Sequence, residues 1–449
     1  MTELNTLFES HIHNLQGNYA RAMDTASVEA VLLHSGSEQV YFGDDRHIPF
    51  QSYGHFHHWL PVNRPDQLLL IKPGETPVYF QVIPDDFWYD QAIDNADWWA
   101  GSFDIRRLGK LSQLATQLPD SGLAYLGPSE ALAQTLGVNA NLINPPALLH
   151  YLDFHRACKT EYEVVQLREA NRRGLTGHAA ARRCFLEGGN EFEIHRAFCE
   201  ASAQLEAETP YTNIVALDEK AAILHYQHKR RDPAQHSKVL LIDAGCRVNG
   251  YGSDITRTTV KPGTEPLFME LLAGMEAIEL ALVEEVKPGI PYPDLHISAL
   301  ARLTALLVDK GICTGTADDL LAAGIPQLFM PHGVGHLLGI QVHDVGGHQA
   351  SIDGARSAPP EHSPALRTTR TLVENMVFTI EPGCYFIPML LEPERATARG
   401  RHINWSSVDR LYPCGGIRIE DNVRVTADGA ENLTRQFEQG SAIRRSGRH

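Results

Sequence analysis

Residues 238–260, KVLLIDAGCRVNGYGSDITRTTV, restrict what this chain can fold into more than any other stretch. Lys238 to Ile242 is a short apolar run that ends on Asp243, glycines at 245, 250 and 252 supply turn backbone, and Asp254 opens a Thr/Val run. The pattern predicts a hairpin with one carboxylate on each arm. A buried strand gains nothing from a desolvated, unpaired carboxylate, so two of them call for a cation between them.

Later stretches carry more candidate ligands. Residues 329–344, FMPHGVGHLLGIQVHD, hold His332, His336 and His343. His332 and His336 have helical i, i+4 spacing, but the intervening glycines and the missing Glu argue against a helical zinc-protease motif, so a loop or strand is expected. Val377 to Glu381 places Glu381 at the end of an apolar run, and GIRIEDNVRV (416–425) places Glu420 in an alternating strand. Taken singly, each Glu reads as an exposed strand residue and each His as a core or surface residue. Together, four acids and a histidine at the ends of apolar strands read as metal ligands. Four carboxylates carry four negative charges, which two divalent ions would neutralise. An oxygen-rich set with one imidazole suits manganese or cobalt better than a thiolate-rich zinc site does. Two such ions roughly 3.5 Å apart would bridge and acidify a water, poising it for hydrolysis.

The length of 449 residues suggests two or three domains with ample apolar content for a core. A formal charge of −16 without a long basic stripe argues against nucleic-acid binding. The opening residues, MTELNTLFESHIHNLQ, lack the basic start and apolar core of a signal peptide, and no later run is long enough to span a membrane, so a cytoplasmic location is expected. Seven cysteines with no CxxC pair suit reduced core thiols rather than a disulfide framework.

Up to about residue 150, short apolar strands (Val28 to His34, Gln67 to Lys72, Val78 to Val82, Leu123 to Leu126) alternate with helical and loop stretches, as in a small α/β domain. His55, His57 and His58 have no carboxylate at useful spacing and read as surface or interface residues. Asn144 to Pro146 forms a Pro-rich turn, and Thr160-Glu161-Tyr162-Glu163 is a capping box that opens a long helix ending at Gly188-Gly189. Asn190 and Glu193 repeat the pattern for a helix to about Glu206, and further helices are expected at about 265–286 and 293–310. The expected organisation is α+β: an N-terminal domain at 1–155, a catalytic domain at 156–436 and a flexible tail at 437–449. The excursion from Tyr385 to Cys414 is too long for a tight hairpin and is a candidate lid.

The order Asp, Asp, His, Glu, Glu in the contexts IDAG, SDITRT, HGVGH, TIEPG and GIRIEDN resembles the pita-bread metallopeptidases, and within them the bacterial prolidases. PYTNIVALDEKAAILHY, FMPHGVGHLLGIQVHDVGG, YFGDD and WLPV extend the likeness over nearly the whole chain, and organophosphorus acid anhydrolases share the pattern. The resemblance implies an N-terminal α/β domain followed by a curved antiparallel sheet covered by helices. It also implies a dinuclear centre, usually manganese (cobalt or zinc being the alternatives), held by Asp243, Asp254, His336, Glu381 and Glu420, with Asp254 and Glu420 bridging. A homodimer is implied too, in which Asp45 would reach toward the partner's site.

By the same resemblance the substrate is a dipeptide ending in proline, whose tertiary amide lacks an N–H and needs a dedicated pocket. Glu381 would move a proton to the departing nitrogen, and His332 or His343 would steady the oxyanion. His225 and Tyr211 would line the pocket. Arg418 shares the strand face of Glu420, and with Arg370 it is the candidate clamp for the substrate carboxylate. The alternatives are an aminopeptidase acting on Xaa-Pro in longer peptides, hydrolysis of organophosphate esters, and a peptide-binding protein that cuts nothing.

Overall fold

A computed structural model describes residues 3–438. The chain parts after Val165 into two compact units, and Ser351–Ala355 returns to the first. The division falls about one turn into the helix Glu161–Leu186, beyond the Pro-rich turn.

In the first unit, five strands form a mixed sheet in the order β4-β3-β2-β1-β5. They are β1 (Ala30–His34), β2 (Leu68–Ile71), β3 (Val78–Val82), β4 (Asp104–Leu108) and β5 (Leu123–Leu126). β1 runs parallel to β5 and antiparallel to β2, and all five of its residues are buried, as expected of a central strand covered on both faces. β4, Asp-Ile-Arg-Arg-Leu, escapes the apolar reading because it is an edge strand whose charges face solvent. The opening residues form the helix Glu3–Ala26, which buries Phe8, His11, Ile12, Leu15, Tyr19, Ala22 and Met23 along one face.

The histidines at 55, 57 and 58 are not surface residues. They lie in the helix Gly54–Trp59, and each is less than a tenth exposed. His55 Nε2 is 2.8 Å from Asp153 Oδ1, and His58 Nε2 is 3.2 Å from Glu163 Oε1. His11 bonds Thr160 Oγ1 through Nδ1 and the His58 carbonyl through Nε2. Glu163 therefore closes the capping box, accepting from Thr160 N at 2.8 Å, and also anchors a buried histidine. The carboxylates that satisfy these rings come from about a hundred residues downstream.

In the second unit, β6 (Ile214–Leu217), β7 (Val239–Asp243) and β10 (Thr256–Val260) form an antiparallel sheet in which Asp243 faces Thr256. Between its arms, β8 (Arg247–Val248) and β9 (Tyr251–Gly252) make a small hairpin. The two residues at its turn, Asn249 (φ 46°) and Gly250 (φ 94°), adopt the positive φ that matches strand twist. Gly245 is obligatory here, because a Cβ would lie 1.9 Å from the Ser253 carbonyl oxygen. A second sheet holds β11 (Val377–Ile380), β14 (Asp421–Val425) and β15 (Ala430–Asn432); β12 (Gly383–Tyr385) pairs with β13 (Gly416–Arg418). The single strand expected over 416–425 is thus broken at Ile419-Glu420, where the chain passes from one sheet to another. Bridges Thr256↔Glu420 and Leu337↔Phe378 stitch the pieces together.

The helix Pro266–Glu285 packs on β11, β13 and β15, and Tyr292–Asp309 packs on it in turn, giving a sheet covered by helices. The helix Glu191–Ser202 stops short of the expected Glu206, because Ala203 turns left-handed (φ 54°). The 385–414 excursion is helical and tied down: Asn404 N donates to Ile312 O at 2.8 Å and Thr314 N to His402 O at 2.8 Å. Glu438, placed by sequence in a free tail, accepts from Arg257 Nη2 at 2.7 Å; the rest of that segment lies outside the described residues.

Candidate functional site

A cavity of about 280 Å³ opens in the second unit, and Asp243, Asp254, His336, Glu381 and Glu420 all line it. Asp243 ends β7, Asp254 precedes β10, Glu381 follows β11 and Glu420 precedes β14, so each carboxylate stands where a ladder stops and its side chain is free to turn inward. His336 arrives on the loop paired to β11. Its N–H donates to Thr379 Oγ1 at 3.1 Å, and its carbonyl accepts from Thr379 N at 2.9 Å. Gly335 allows that approach, since at φ 154° a Cβ would lie 2.1 Å from the Thr379 carbonyl oxygen.

His336 Nε2 is 3.4 Å from Asp254 Oδ2 and 3.7 Å from Glu381 Oε1. Ligand atoms of Asp254, His336 and Glu420 lie within 4.8 Å of one another. At an effective dielectric constant of about 20, two ionised carboxylates at that separation repel by roughly 3 to 4 kcal/mol. The protein answers with hydrogen bonds and one guanidinium. Thr256 Oγ1 donates to Glu420 Oε2 at 2.6 Å, and Arg418 donates to Asp243 Oδ2 (2.6 Å), Thr256 Oγ1 (3.1 Å) and Tyr385 Oη (3.0 Å).

Without a bound cation three of the four acids are pushed toward their protonated forms. Burial, with Asp254 adding to it, pushes Asp243 up to about 6 against the pull of Arg418. Burial likewise lifts Glu381 to about 7, and burial with three neighbouring carboxylates drives Glu420 well above the usual range. Burial opposes ionisation of Asp254 too, but its hydrogen bond to His336 and the charge of that ring hold it below the usual value. Burial would lower His336, but Asp254 and Glu381 outweigh it and raise the ring.

These residues fit divalent cations. The set is hard oxygen with one imidazole, and Asp243 Oδ1 is buried with no hydrogen-bond partner among the described residues, a position a metal–oxygen bond would satisfy.

The other residues marked in the sequence divide. His225, His332, His343 and Arg418 line the same cavity. His332 donates from Nδ1 to Gly333 O at 2.7 Å and accepts at Nε2 from Tyr385 Oη at 2.9 Å; burial and Arg418 hold it neutral, down to about 3. His343 stacks edge-on against His336 with centroids 4.4 Å apart, and burial and His336 lower it to about 4. The buried Tyr211 hydroxyl feels the charges of Asp243 and Asp254, which with burial raise it well above the ordinary value. Arg370 is buried, and it does not line the cavity; Arg367 does. Asp45 sits on an exposed loop of the first unit. Thr256 and Tyr385 were missed, although Thr256 falls in the same SDITRT run as Asp254.

The metallopeptidase family M24 matches residues 165–427, and the Xaa-Pro dipeptidase N-terminal domain matches residues 6–154. A Xaa-Pro dipeptidase of Pseudoalteromonas atlantica is 41% identical over 443 residues, covering 97% of this chain and 99% of its own. One of Aeromonas hydrophila is 43% identical over 442 residues, with the same coverage. Among solved structures, Pseudomonas aeruginosa aminopeptidase PepP shares the fold with a TM-score of 0.72 at 23% identity, covering 96% of this chain and 99% of that one. E. coli aminopeptidase P with the inhibitor Pro-Leu does so with a TM-score of 0.72 at 24% identity and the same coverage. The catalytic-unit match together with two near-full-length relatives makes this chain a member of metallopeptidase family M24 that carries a Xaa-Pro dipeptidase N-terminal domain.

Proposed function

We propose that the protein is a Xaa-Pro dipeptidase that works with two divalent ions, manganese in preference to cobalt or zinc. The observation that carries this reading is the convergence of four carboxylates, four imidazoles and two guanidinium groups on a single cavity of about 280 Å³. That volume is near the lower end for small-molecule sites, which suits a dipeptide. Asp243, Asp254, His336, Glu381 and Glu420 would hold the ions. When bound, the ions supply Lewis acidity to polarise a carbonyl and acidify a water.

The chain's own groups do the rest. Glu381, 17% exposed against 12% for Asp243 and 7% for Asp254, is the acid placed to carry a proton to the proline nitrogen. His343 stays neutral and presents a ring nitrogen to the substrate, while His332, with its ring nitrogens engaged by Gly333 O and Tyr385 Oη, holds Tyr385 in place; His225 walls the pocket and Tyr211 lies behind it, beside Asp243 and Asp254. Arg418 is engaged with Asp243, so the carboxylate clamp falls chiefly to Arg367, an exposed guanidinium that lines the cavity. Arg370, buried and outside the cavity lining, does not share that task directly.

The protein acts in the cytoplasm as a homodimer. Tyr41, Phe42 and Ile48 on one loop of the first unit and Phe87, Trp88 and Tyr89 on another are exposed, and His47 stacks on Tyr89 to join the two loops. Such an apolar patch favours contact with a second copy, whose site Asp45 would then edge.

The test compares Ala-Pro, Ala-Pro amide and Ala-Pro-Ala on Mn²⁺-loaded and chelator-treated protein. Metal-dependent turnover confined to Ala-Pro is expected, with Arg367→Ala raising KM more than it lowers kcat. Faster cleavage of Ala-Pro-Ala would replace the dipeptidase reading with an aminopeptidase one.

A further inference from the structure

Asp254 stands just before β10 and Glu420 just before β14, and neither is held in a continuous backbone ladder. The antiparallel bridge between those strands is Thr256↔Glu420, where Glu420 N donates to Thr256 O at 3.1 Å. In an antiparallel pair the next rung on this side joins residue 254 to residue 422. No backbone bond forms there. Instead the Asn422 side-chain amide takes both places: its Oδ1 accepts from Asp254 N at 3.1 Å, and its Nδ2 donates to Asp254 O. A primary amide offers one C=O and one N–H face, so it can stand in for a peptide group.

Because a side chain now spans the gap, the two backbones must part between the rungs, and the parting lies beside the carboxylates of Asp254 and Glu420. Asn422 is fully buried and is itself fixed by Thr434 Oγ1 (2.9 Å to its N–H) and by Leu433 N, which donates to its carbonyl at 2.8 Å. Behind the other rung, Arg257 Nη1 donates to both Thr256 O (2.9 Å) and Glu420 O (2.7 Å). Its Nη2 holds Asp421 Oδ1 at 2.7 Å, and Arg435 Nε and Asn432 Nδ2 hold Asp421 Oδ2 at 2.5 and 2.7 Å.

We propose that Asn422 is a positioning residue: its amide replaces one rung of the ladder and sets the spacing of the Asp254 and Glu420 carboxylates, with Arg257 and Asp421 locking the adjoining rung. The inference rests on Asp254 and Glu420 being metal ligands. Removing the spacer narrows or scrambles that gap, so metal binding weakens before the fold does.

The experiment is Mn²⁺ calorimetry on metal-stripped full-length protein, well below its melting temperature, for the wild type, Asn422→Ala, Asn422→Asp, Asp254→Ala and Leu70→Ala. Asn422→Ala is expected to lose about 10- to 100-fold in affinity, as other groups that orient metal ligands do. Asn422→Asp keeps the size and the acceptor but loses the donor to the Asp254 carbonyl. Its added negative charge would tighten a nearby cation by electrostatics alone, so weaker binding in this variant has the sign only positioning gives. Leu70→Ala removes a buried side chain of β2 and controls for lost stability; its affinity stays at the wild-type value. Wild-type or tighter binding by Asn422→Asp overturns the proposal, and it remains measurable if Asn422→Ala does not fold. Unchanged binding by Asp254→Ala would instead overturn the ligand assignment beneath it.

Discussion

Arg418 is the residue whose loss should respond most sharply to metal. It is 5% exposed and makes three side-chain hydrogen bonds, the shortest of them 2.6 Å to Asp243 Oδ2. Arg418→Met leaves similar bulk and removes the charge. Opposite charges about 4 Å apart at an effective dielectric constant of about 20 attract by about 4 kcal/mol. Breaking one side of a buried pair typically costs about 3–5 kcal/mol, because the remaining charge is stranded. The two estimates agree, and they apply to protein without metal, where Arg418 is the group that compensates Asp243. With ions bound to the carboxylates, that compensation is redundant, and what remains is the hydrogen bonding to Tyr385 and Thr256, worth roughly 1 kcal/mol each at most. The assay is urea unfolding at pH 8, with chelator and with excess Mn²⁺. The expected result is a loss of about 3–5 kcal/mol in chelator that shrinks to about 1–2 with metal. By linkage, the variant then binds Mn²⁺ more tightly than the wild type. Equal losses in both conditions would refute the counter-charge role.

The pH dependence of the metal-free protein follows from the same cluster. Asp243 at about 6 and Glu381 at about 7 lie above their unfolded values, so their stabilising effect is complete below about pH 4 and is lost as pH rises through 6 and 7. The melting temperature in chelator should therefore fall between pH 5 and 8, and Mn²⁺ uptake at pH 6 should release protons, seen as a buffer-dependent heat; a flat profile without proton release contradicts this. In the first unit, burial opposes ionisation of Glu163, but His58 and His11 hold it down at about 2. Its contribution is therefore present above about pH 4.5 and lost as pH falls toward 2; burial holds His58 down to about 4, so at pH 7 Glu163→Ala removes hydrogen bonds rather than an ion pair and should cost about 1–3 kcal/mol in urea unfolding. A loss below about 1 kcal/mol would show that the buried histidines do not depend on it. An organophosphate ester has a tetrahedral phosphorus that imitates the geometry of the attacked peptide, so Mn²⁺-loaded protein should slowly hydrolyse a nitrophenyl phosphotriester. Complete inactivity in a stopped assay would remove that activity from consideration.

What could be read from the chain and what could not differ in a physical way. Asp243, Asp254, Glu381 and Glu420 stood out because an acid at the end of an apolar run contradicts its surroundings, and the contradiction is local. The long helices and most strands were legible for the same reason, since their periodicity lies within one segment. Arg367 and Arg370 sit in an irregular stretch with no period to say which side faces the cavity, and the fold turns Arg367 toward it. His55 and His58 looked solvent-facing because the carboxylates that bury them, Asp153 and Glu163, are 98 and 105 residues away. Glu420 and Asp421 make the point most directly, as adjacent acids of one motif that no local pattern distinguishes. Glu420 enters the cavity, while Asp421 is gripped by Arg257 and Arg435 and cannot reach an ion. Which acid faces the cavity and which one braces is decided by where two arginines from distant segments arrive, so it is a property of the fold rather than of the motif.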